Sequence, residues 1–507
     1  MGTINGTPGA DTLTGGAAAD SIYGAGGDDR LYGNGGDDIL DTGTGGYEIA
    51  WGGDGNDHMS TSSSAGYLYG DAGDDVLTAF GAGYHSMSGG LGNDTIIGSL
   101  GDDYLTGNDG NDILNGGIGG QDFLDAGNGD DSLYALTSAA QLYGGAGNDR
   151  LYIDTNDTKA DGAAGFDTLI YLDQQSWGAI DIGFLAGGTV FYLAQDGIDH
   201  TKISGIERFE ITAGIFGDTL ITGGADDIVF GLGGADLISG GAGNDLLDGG
   251  TGDDIIAGGA GDDTLTGGTG KDAFLFGAAG EGNDQITDFN AAEDTIGVKG
   301  GLFTAAMVNG ADTVLTYSGG TVTLTGVSNL TLAQINALAI RAETLLTTGK
   351  DTYAGTAGND VVYGLQGNDK LSGGAGDDFL DGGAGGDIIT GGAGADTLAG
   401  GFGADMFNYG GAGESGVGAA LHDTILDFGI GADKIDLHLI DANSSIKGDQ
   451  AFTYIGNAAF TALGQLHYVV SGADVIVQGN ITGDLNPDFE IVLKGFAGVL
   501  NAGHFIL

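Results

Sequence analysis

The unit Gly-Gly-x-Gly-x-Asp, followed by x-apolar-x, recurs every nine residues through most of this 507-residue chain. It is cleanest from Gly231 to Asp272. There Asp236, Asp245, Asp254, Asp263 and Asp272 stand nine apart, and Ile238, Leu247, Ile256, Leu265 and Phe274 each follow two places later. A repeat held in such phase signals a solenoid, in which each unit buries its apolar side against the next. A Gly-rich flexible linker keeps no such register. The glycines permit the positive φ of a very tight turn, whose carbonyls then converge on the spot where the Asp adds a carboxylate. The short strand that follows turns one apolar side chain inward and its neighbours outward. Two nonapeptides therefore make one coil of a parallel β-roll, with turns stacked along two edges, and the fold class expected is all-β: tandem rolls closed by β-rich caps.

An ion between stacked turns meets carbonyl and carboxylate oxygens, the six-to-eight oxygen shell that calcium prefers and that suits the tighter octahedron of magnesium badly. Zinc and copper lack their usual ligands, because the chain has no Cys and only seven scattered His. The pattern thus nominates calcium, in about 15–25 copies at one per turn. The candidate ligands are the repeat aspartates. In the first array these are Asp11, Asp20, Asp29, Asp38, Asp57, Asp75, Asp94, Asp103, Asp112, Asp131, Asp149 and Asp167. In the second they are Asp218, Asp227, Asp236, Asp245, Asp254, Asp263 and Asp272, with turn glycines Gly240, Gly243, Gly249, Gly252, Gly258 and Gly261. In the third they are Asp360, Asp369, Asp378, Asp387, Asp396 and Asp405.

This nonapeptide resembles that of the RTX, or hemolysin-type calcium-binding, repeat family. The resemblance implies export by a type I secretion machinery that reads an uncleaved C-terminal signal. The tail NPDFEIVLKGFAGVLNAGHFIL is similar to the family's ending, although His504 stands where an acidic residue is more usual. The N-terminal MGTINGTPGADTL lacks the basic and apolar regions of a secretory signal, and no run of about 18 apolar residues is present to span a membrane. A secreted location at the cell surface or outside the cell fits calcium sites that need roughly millimolar ion.

Composition bears on partners. Lys+Arg 13 against Asp+Glu 71 gives a formal charge of −58. That charge repels itself and keeps a metal-free chain open, so folding is expected to be coupled to calcium. Nucleic acid and a bare anionic lipid surface are not expected as partners on the same ground. Calcium could still bridge the chain to anionic cell-surface polysaccharide or lipopolysaccharide, or to a second copy. With no Cys there are no disulfides, and Pro 2 rules out collagen despite Gly 109.

The repeats divide the chain into roll 1 over 1–171, a β insert over 172–216, roll 2 over 217–276, a cap over 277–348, roll 3 over 349–409 and a second cap over 410–507 carrying the secretion signal. GNDQITDFNAAEDTIGV (Gly282–Val298) and HDTILDFGIGADKIDL (His422–Leu437) match each other, so the second half reads as a duplicated roll-plus-cap unit. The insert is read as short strands, AIDIGFL, TVFYLA and RFEITA, with Trp177, Phe184, Phe191, Tyr192 and Phe209 taken as core rather than a ligand groove.

Phase within roll 1 points to a one-sided ladder. Asp20, Asp38, Asp57, Asp75, Asp94, Asp112, Asp131, Asp149 and Asp167 recur at 18 or 19 residues and share one edge. The other edge begins with Asp11 and Asp29 and then reads Tyr47, Gly66, Tyr84, Asp103, Gln121 or Asp122, and Ala140. Apolar residues persist on both sides, Leu40, Met59, Leu77 and Leu114 against Ile49, Leu68, Leu105 and Leu142. The second edge is therefore expected to be nearly metal-free, through drift or as a contact surface, with His58 and His85 exposed.

No catalytic constellation emerges: HExxH and GxSxG are both absent. Carboxylate pairs such as Asp253–Asp254 and Asp262–Asp263 read as one ligand plus one solvated residue rather than a glycosidase pair. Asp484, Asp488 and Glu490, after Asn480, suggest one further calcium site. Repeats begin by residue 6, so no effector domain is expected ahead of them. The function expected is a secreted calcium-binding structural protein that folds on calcium and self-assembles in a surface-layer-like lattice. A soluble or biofilm-matrix polysaccharide binder is the alternative. A polysaccharide-modifying enzyme using the Trp177 insert comes third.

Overall fold

Every nonapeptide in the computed structural model does what its glycines and its single apolar residue dictate: a turn, then a short strand, then a turn. The structure describes residues 2–507 except 138, 155, 173–179, 185–190, 196–197, 278–279, 299–301, 329, 339–342, 347–349, 365–366, 384, 402, 419–420, 430–431, 444–445, 447–449, 473 and 497–498. Successive strands alternate between two parallel sheets. The first sheet starts Thr3–Asn5, Ser21–Tyr23, Ile39–Asp41, His58–Thr61, and the second Thr12–Thr14, Arg30–Gly35, Glu48–Asp54, Ala65–Ala72. Each strand pairs in parallel with the one a full coil later, Ile22 with Leu40 and Leu31 with Ala50.

The core is two facing columns one residue wide. Ile22, Leu40, Met59, Leu77, Ile96, Leu114, Leu133 and Leu151 line the first sheet, and Leu31, Ala50, Leu68, Met87, Leu105, Leu124 and Leu142 the second, all fully buried. Ala50, and not Ile49, is the inward residue of its strand; Ile49 is half-buried. Two apolar side chains per coil are too few to hold one coil alone, so stability has to come from stacking.

The insert does not interrupt the solenoid. Ile180–Phe184, Phe191–Gln195 and Ile198–Ser204 form an antiparallel meander. Its last strand pairs in parallel with Lys159–Ala164 and its first with Thr219–Ile221, so the second sheet runs through it. RFEITA belongs elsewhere: Arg208–Thr212 is a rung of the first sheet, between Thr168–Leu172 and Ile228–Phe230. Phe209 is core, whereas Trp177 and the side chains of Phe184, Phe191 and Tyr192 lie outside the described residues. One continuous core extends from Ile22 to Ile335.

The stretches at Gly282–Val298 and His422–Leu437 each add one more rung to both sheets. Gly282–Ile286 follows Thr264–Thr269 and Thr295–Val298 follows Ala273–Phe276; Asp423–Ile425 and Lys434–Asp436 do the same in the second half. Each half then closes its first sheet alike. An antiparallel meander (Ala305–Asn309, Asp312–Thr316, Gly320–Leu324; and Gln465–Ser471, Asp474–Asn480, Phe489–Leu493) sends its last strand back to pair with the final rung. This shared topology is what the sequence duplication describes. The second half has its own core, Leu346 to Phe505. The halves touch side by side, where Ala257 and Leu275 on the outer surface of one meet Tyr363 of the other, beside Ile255, Val361 and Phe379. The one described α-helix, Leu332–Leu338, is short, and no described helix is long and apolar enough to cross a membrane.

Candidate metal centres along the turns

The turn Gly240–Asp245 shows how the repeat builds a cradle. Gly240 has no room for a side chain: a Cβ there would run into Asp245 Oδ2 and lie 2.8 Å from the Gly258 carbonyl oxygen, one coil on. Gly241 has φ +98° and Gly243 φ +134°, conformations that L side chains rarely adopt. The result is a small space bounded by one carboxylate oxygen and by backbone carbonyls of neighbouring turns. The same cradle recurs at Gly231, Gly249, Gly70 and Gly382.

The aspartates form ladders. Each Asp N–H donates to Oδ1 of the Asp one coil later: Asp57 to Asp75 at 2.7 Å, Asp75 to Asp94 at 2.8 Å, Asp236 to Asp254 at 2.9 Å, Asp387 to Asp405 at 2.7 Å. On the first edge this chain runs unbroken from Asp20 to Asp167. The residue before each Asp builds a parallel, exposed ladder. Asp37, Asn56, Asp74, Asn93, Asn111 and Asp130 each accept the corresponding N–H of the next turn, so the first member of a carboxylate pair has a structural role besides solvation. Interleaved Asn keeps that outer column from being a row of like charges.

The second oxygen divides the turns into two kinds. Oδ2 is buried without a hydrogen-bond partner at Asp29, Asp38, Asp57, Asp75, Asp94, Asp112, Asp131, Asp149, Asp167, Asp236, Asp245, Asp254, Asp263, Asp369, Asp378, Asp387, Asp396 and Asp405, and also at Asp284 and Asp423. In these open turns the residue four before the Asp has positive φ wherever it is described: Gly53, Gly90, Gly145, Gly250 and Gly392, and even Asn34, Asp71, Asn108 and Leu232. That twist turns the amide away from the carboxylate. Asp272, with Gly268 at φ +98°, has the same turn.

In closed turns the same amide points in and donates to Oδ2. Thr7 does so to Asp11 at 2.6 Å, Gly16 to Asp20 at 2.8 Å, Ser99 to Asp103 at 2.6 Å, Gly214 to Asp218 at 3.2 Å, Gly223 to Asp227 at 3.1 Å and Thr356 to Asp360 at 2.6 Å. A buried carboxylate oxygen without a donor is costly unless a cation answers it. The open turns therefore fit a hard divalent cation, and the closed ones fit it poorly. Among the described residues no three His, Cys, Asp or Glu side chains converge, so backbone carbonyls have to furnish most of the shell, which suits calcium and not zinc.

Electrostatics agrees. Burial, with neighbouring ladder carboxylates adding to it against the lowering effect of a backbone amide, lifts Asp57 to about 7, Asp245 and Asp387 to about 8, and Asp405 to about 9. A divalent cation beside them reverses that preference for the neutral form.

The second edge of roll 1 differs from the register read in the sequence. Coil lengths of 18 and 19 residues alternate, and the ladder positions are Asp11, Asp29, Glu48, Gly66, His85, Asp103 and Asp122, with Ala140 following. Asp29 N–H donates to Glu48 Oε2 at 3.0 Å, and Asp103 N–H to Asp122 Oδ1 at 2.9 Å. Tyr47 and Tyr84, one place earlier, are 53% and 47% exposed, whereas Glu48 and His85 are fully buried. His85 is thus not a surface residue, although His58 is. The edge is interrupted, not stripped of acids.

Sequence reasoning missed Glu48, Asp284, Asp294, Asp423 and Asp433 as ladder members; the last four carry the Asp-x-apolar signal inside the presumed caps. The proposed site at Asp484, Asp488 and Glu490 does not form. Asp488 accepts Ile481 N–H at 2.6 Å and Thr482 N–H at 2.9 Å, Glu490 accepts the Gln478 amide and Gly418 N–H, and Asp484 accepts Asn486 N–H.

No curated protein matches the chain. Among solved structures, the AlgE6R2 subunit of the Azotobacter vinelandii mannuronan C5-epimerase is 32% identical over 30% of this chain and 89% of its own, with a TM-score of 0.24. The AlgE6R3 subunit is 25% identical over 33% and 83%, TM-score 0.22. The extracellular lipase LipA of Serratia marcescens is 24% identical over 51% and 40%, TM-score 0.21, so the match spans well under half of that enzyme. The profile of the RTX calcium-binding nonapeptide repeat (4 copies) matches residues 5–40, 18–49, 51–79, 88–120, 117–151, 212–247, 239–274, 248–286, 347–380 and 381–413. These segments together cover more than half of the sequence, and the chain belongs to the RTX calcium-binding repeat family.

Proposed function

We propose that this is a secreted structural protein that folds on calcium and assembles laterally at a cell surface, as a surface-layer-like lattice, with no reaction of its own. The observation that carries the reading is the file of open carboxylates, each with one buried oxygen lacking a donor, repeated through both halves of the molecule. Their burial is tolerable with an ion in each cradle and strongly unfavourable without one in a chain of formal charge −58. Export by a type I route, read from the C-terminal tail, belongs to the same proposal.

Assembly is supported by the way the two halves already meet. Outer sheet surfaces lie flank to flank through Ala257, Leu275, Tyr363 and Phe379, a contact that needs nothing but the outward residues of rolls. Other outward residues, Ile39, Ile113 and Leu246 among them, remain exposed on equivalent surfaces. A second copy of this chain is the occupant assigned to them, with calcium between acidic margins.

A polysaccharide-binding role has one observation in its favour. Tyr32, Trp51 and Tyr69 stack along the second sheet at 4.7 and 5.8 Å, and beyond Tyr69 a groove opens among Asp71, Ser88, Asn108 and Asp109. Within the stack, however, ring faces are turned to one another, which leaves edges rather than faces for a sugar. Circular dichroism and size across a calcium titration, followed by electron microscopy with and without chelator, tests the proposal. Calcium-dependent sheets or filaments are expected. A folded monomer that retains polysaccharide instead would replace assembly with the second reading.

A further inference from the structure

On the second edge of roll 1 the ladder position after Gly66 is taken by His85. Its backbone behaves as an aspartate's would, the N–H donating to Asp103 Oδ1 at 2.9 Å. Its ring, fully buried, does more. Nδ1 lies 3.0 Å from the same Asp103 Oδ1, and Nε2 lies 3.3 Å from the Ser63 carbonyl oxygen, which belongs to the Gly66 turn on the preceding coil. Ser99 completes the arrangement, with its hydroxyl 3.1 Å from His85 Nδ1 and 3.1 Å from Asp103 Oδ2, while its N–H donates to Oδ2.

The space for the ring is made by glycines. A Cβ at Gly66, where other turns carry a carboxylate, would lie 3.1 Å from His85 Cδ2, and one at Gly81 would lie 3.3 Å from Cε1 and Nε2. Three departures from the repeat, at Gly66, His85 and Ser99, together with the repeat's own Gly81, therefore serve one packing solution. Drift in a redundant site would give unrelated losses, each leaving a gap.

We propose that the His85 imidazole takes the place of a calcium ion here. It links the carbonyl of one turn to the carboxylate two turns further on, as a bound ion would link stacked turns. Both oxygens of Asp103 are engaged by protein donors, so Asp103 offers nothing to a cation and the second edge is calcium-free at this point. The inference rests on the reading that open turns hold calcium, and it removes Asp103 from the ligands that the repeat pattern nominated.

Native mass spectrometry of the full chain at saturating calcium counts the ions. Asp112→Asn, in an open turn of the first edge, is expected to lower the count by at least one, and Asp103→Asn to leave it unchanged. The double variant His85→Asp with Ser99→Gly, which restores a carboxylate, removes the Ser99 hydroxyl and permits the positive φ of an open turn, is expected to gain one ion. Loss of an ion from Asp103→Asn overturns the proposal, as does a double variant that folds without a gain; should Asp103→Asn fail to fold, the double variant decides. A wild-type chain that takes up no calcium would instead sink the underlying reading, and a full count lost equally by both single variants would sink this inference alone.

Discussion

Along the first edge of roll 1 nine carboxylates from Asp20 to Asp167 succeed one another through eight hydrogen bonds. Along the second, Asp11, Asp29 and Glu48 give way to Gly66 and His85 before acids resume at Asp103 and Asp122. The sheets that follow the two edges are nonetheless alike. Leu68, Met87 and Leu105 are as buried beside the break as Leu77, Ile96 and Leu114 are opposite it. The strand stack and the chemistry of its turns are thus separable. A rung needs one inward apolar residue and a turn that closes, and the turn can be closed by an amide, by an imidazole or, where neither is present, by an ion.

The severest way to probe this contrast is to remove the ions. Chelation at neutral pH is expected to open the chain, with loss of strand signal and a roughly two- to threefold rise in radius of gyration by scattering. Calcium restores it and magnesium does not. A chain that stays compact after exhaustive chelation would mean that the closed turns suffice for both edges.

Acid should substitute for calcium in part. In the metal-free roll Asp245 and Asp387 retain their protons up to about 8 and Asp405 to about 9, against an ordinary 3.8 for the unfolded chain. The folded form then binds more protons than the unfolded form between those values. Its stability is fully present below about pH 4 and is lost progressively as pH rises from there to about 8 to 9. Circular dichroism of chelated protein from pH 3 to 9 should show structure returning on acidification; structure that grows with pH in chelator would contradict the open-turn assignment.

Core truncations test whether the two sheets are equivalent. Leu114→Ala and Leu105→Ala, one behind each edge, are each expected to cost about 2–5 kcal/mol by denaturant unfolding in calcium. Unequal costs would show that the metal ladder stiffens its own sheet. Gly107→Ala should separate the edges: its methyl would collide with Asp112 Oδ2, for an expected loss of about 2–3 kcal/mol in calcium, with a much smaller penalty in chelator. The mildest effect is expected from Trp51→Ala, which removes the middle ring of the outer stack. About 1 kcal/mol should be lost with the calcium count unchanged.

Much of this was legible in the sequence. Asp-x-apolar at a nine-residue period locates the rungs, the inward column and most of the turns; at Asp284, Asp294, Asp423 and Asp433 the triplet persists but the period lengthens, with 21 to 28 residues between paired aspartates. Three things were harder to read. Coils of 18 and 19 residues alternate, so counting alone could not choose between Tyr47 and Glu48 or between Tyr84 and His85; burial chooses. Arg208–Thr212 reads as insert because Glu207 replaces the ladder Asp, accepting Asp167 N–H at 2.9 Å. The open or closed state of a turn depends on one φ angle four residues before the Asp. A Ser or Thr there, as at Thr7, Ser99 and Thr356, marks closure, but glycine occurs in both states, as Gly16 and Gly53 show.

In the inner ladder the hydrogen bonds between coils run one way, the earlier aspartate donating its amide and the later one receiving it, whereas the exposed outer ladder runs the other way. Along the inner ladder the stack consequently has a front and a back that differ chemically, the N-terminal side offering carboxylates and the C-terminal side N–H groups. A coil joining from the N-terminal side finds its acceptor already fixed in place, whereas one joining from the C-terminal side must bring the acceptor with it. The two ends of the inner ladder are therefore unequal, and a coil added at one meets a different partner from a coil added at the other.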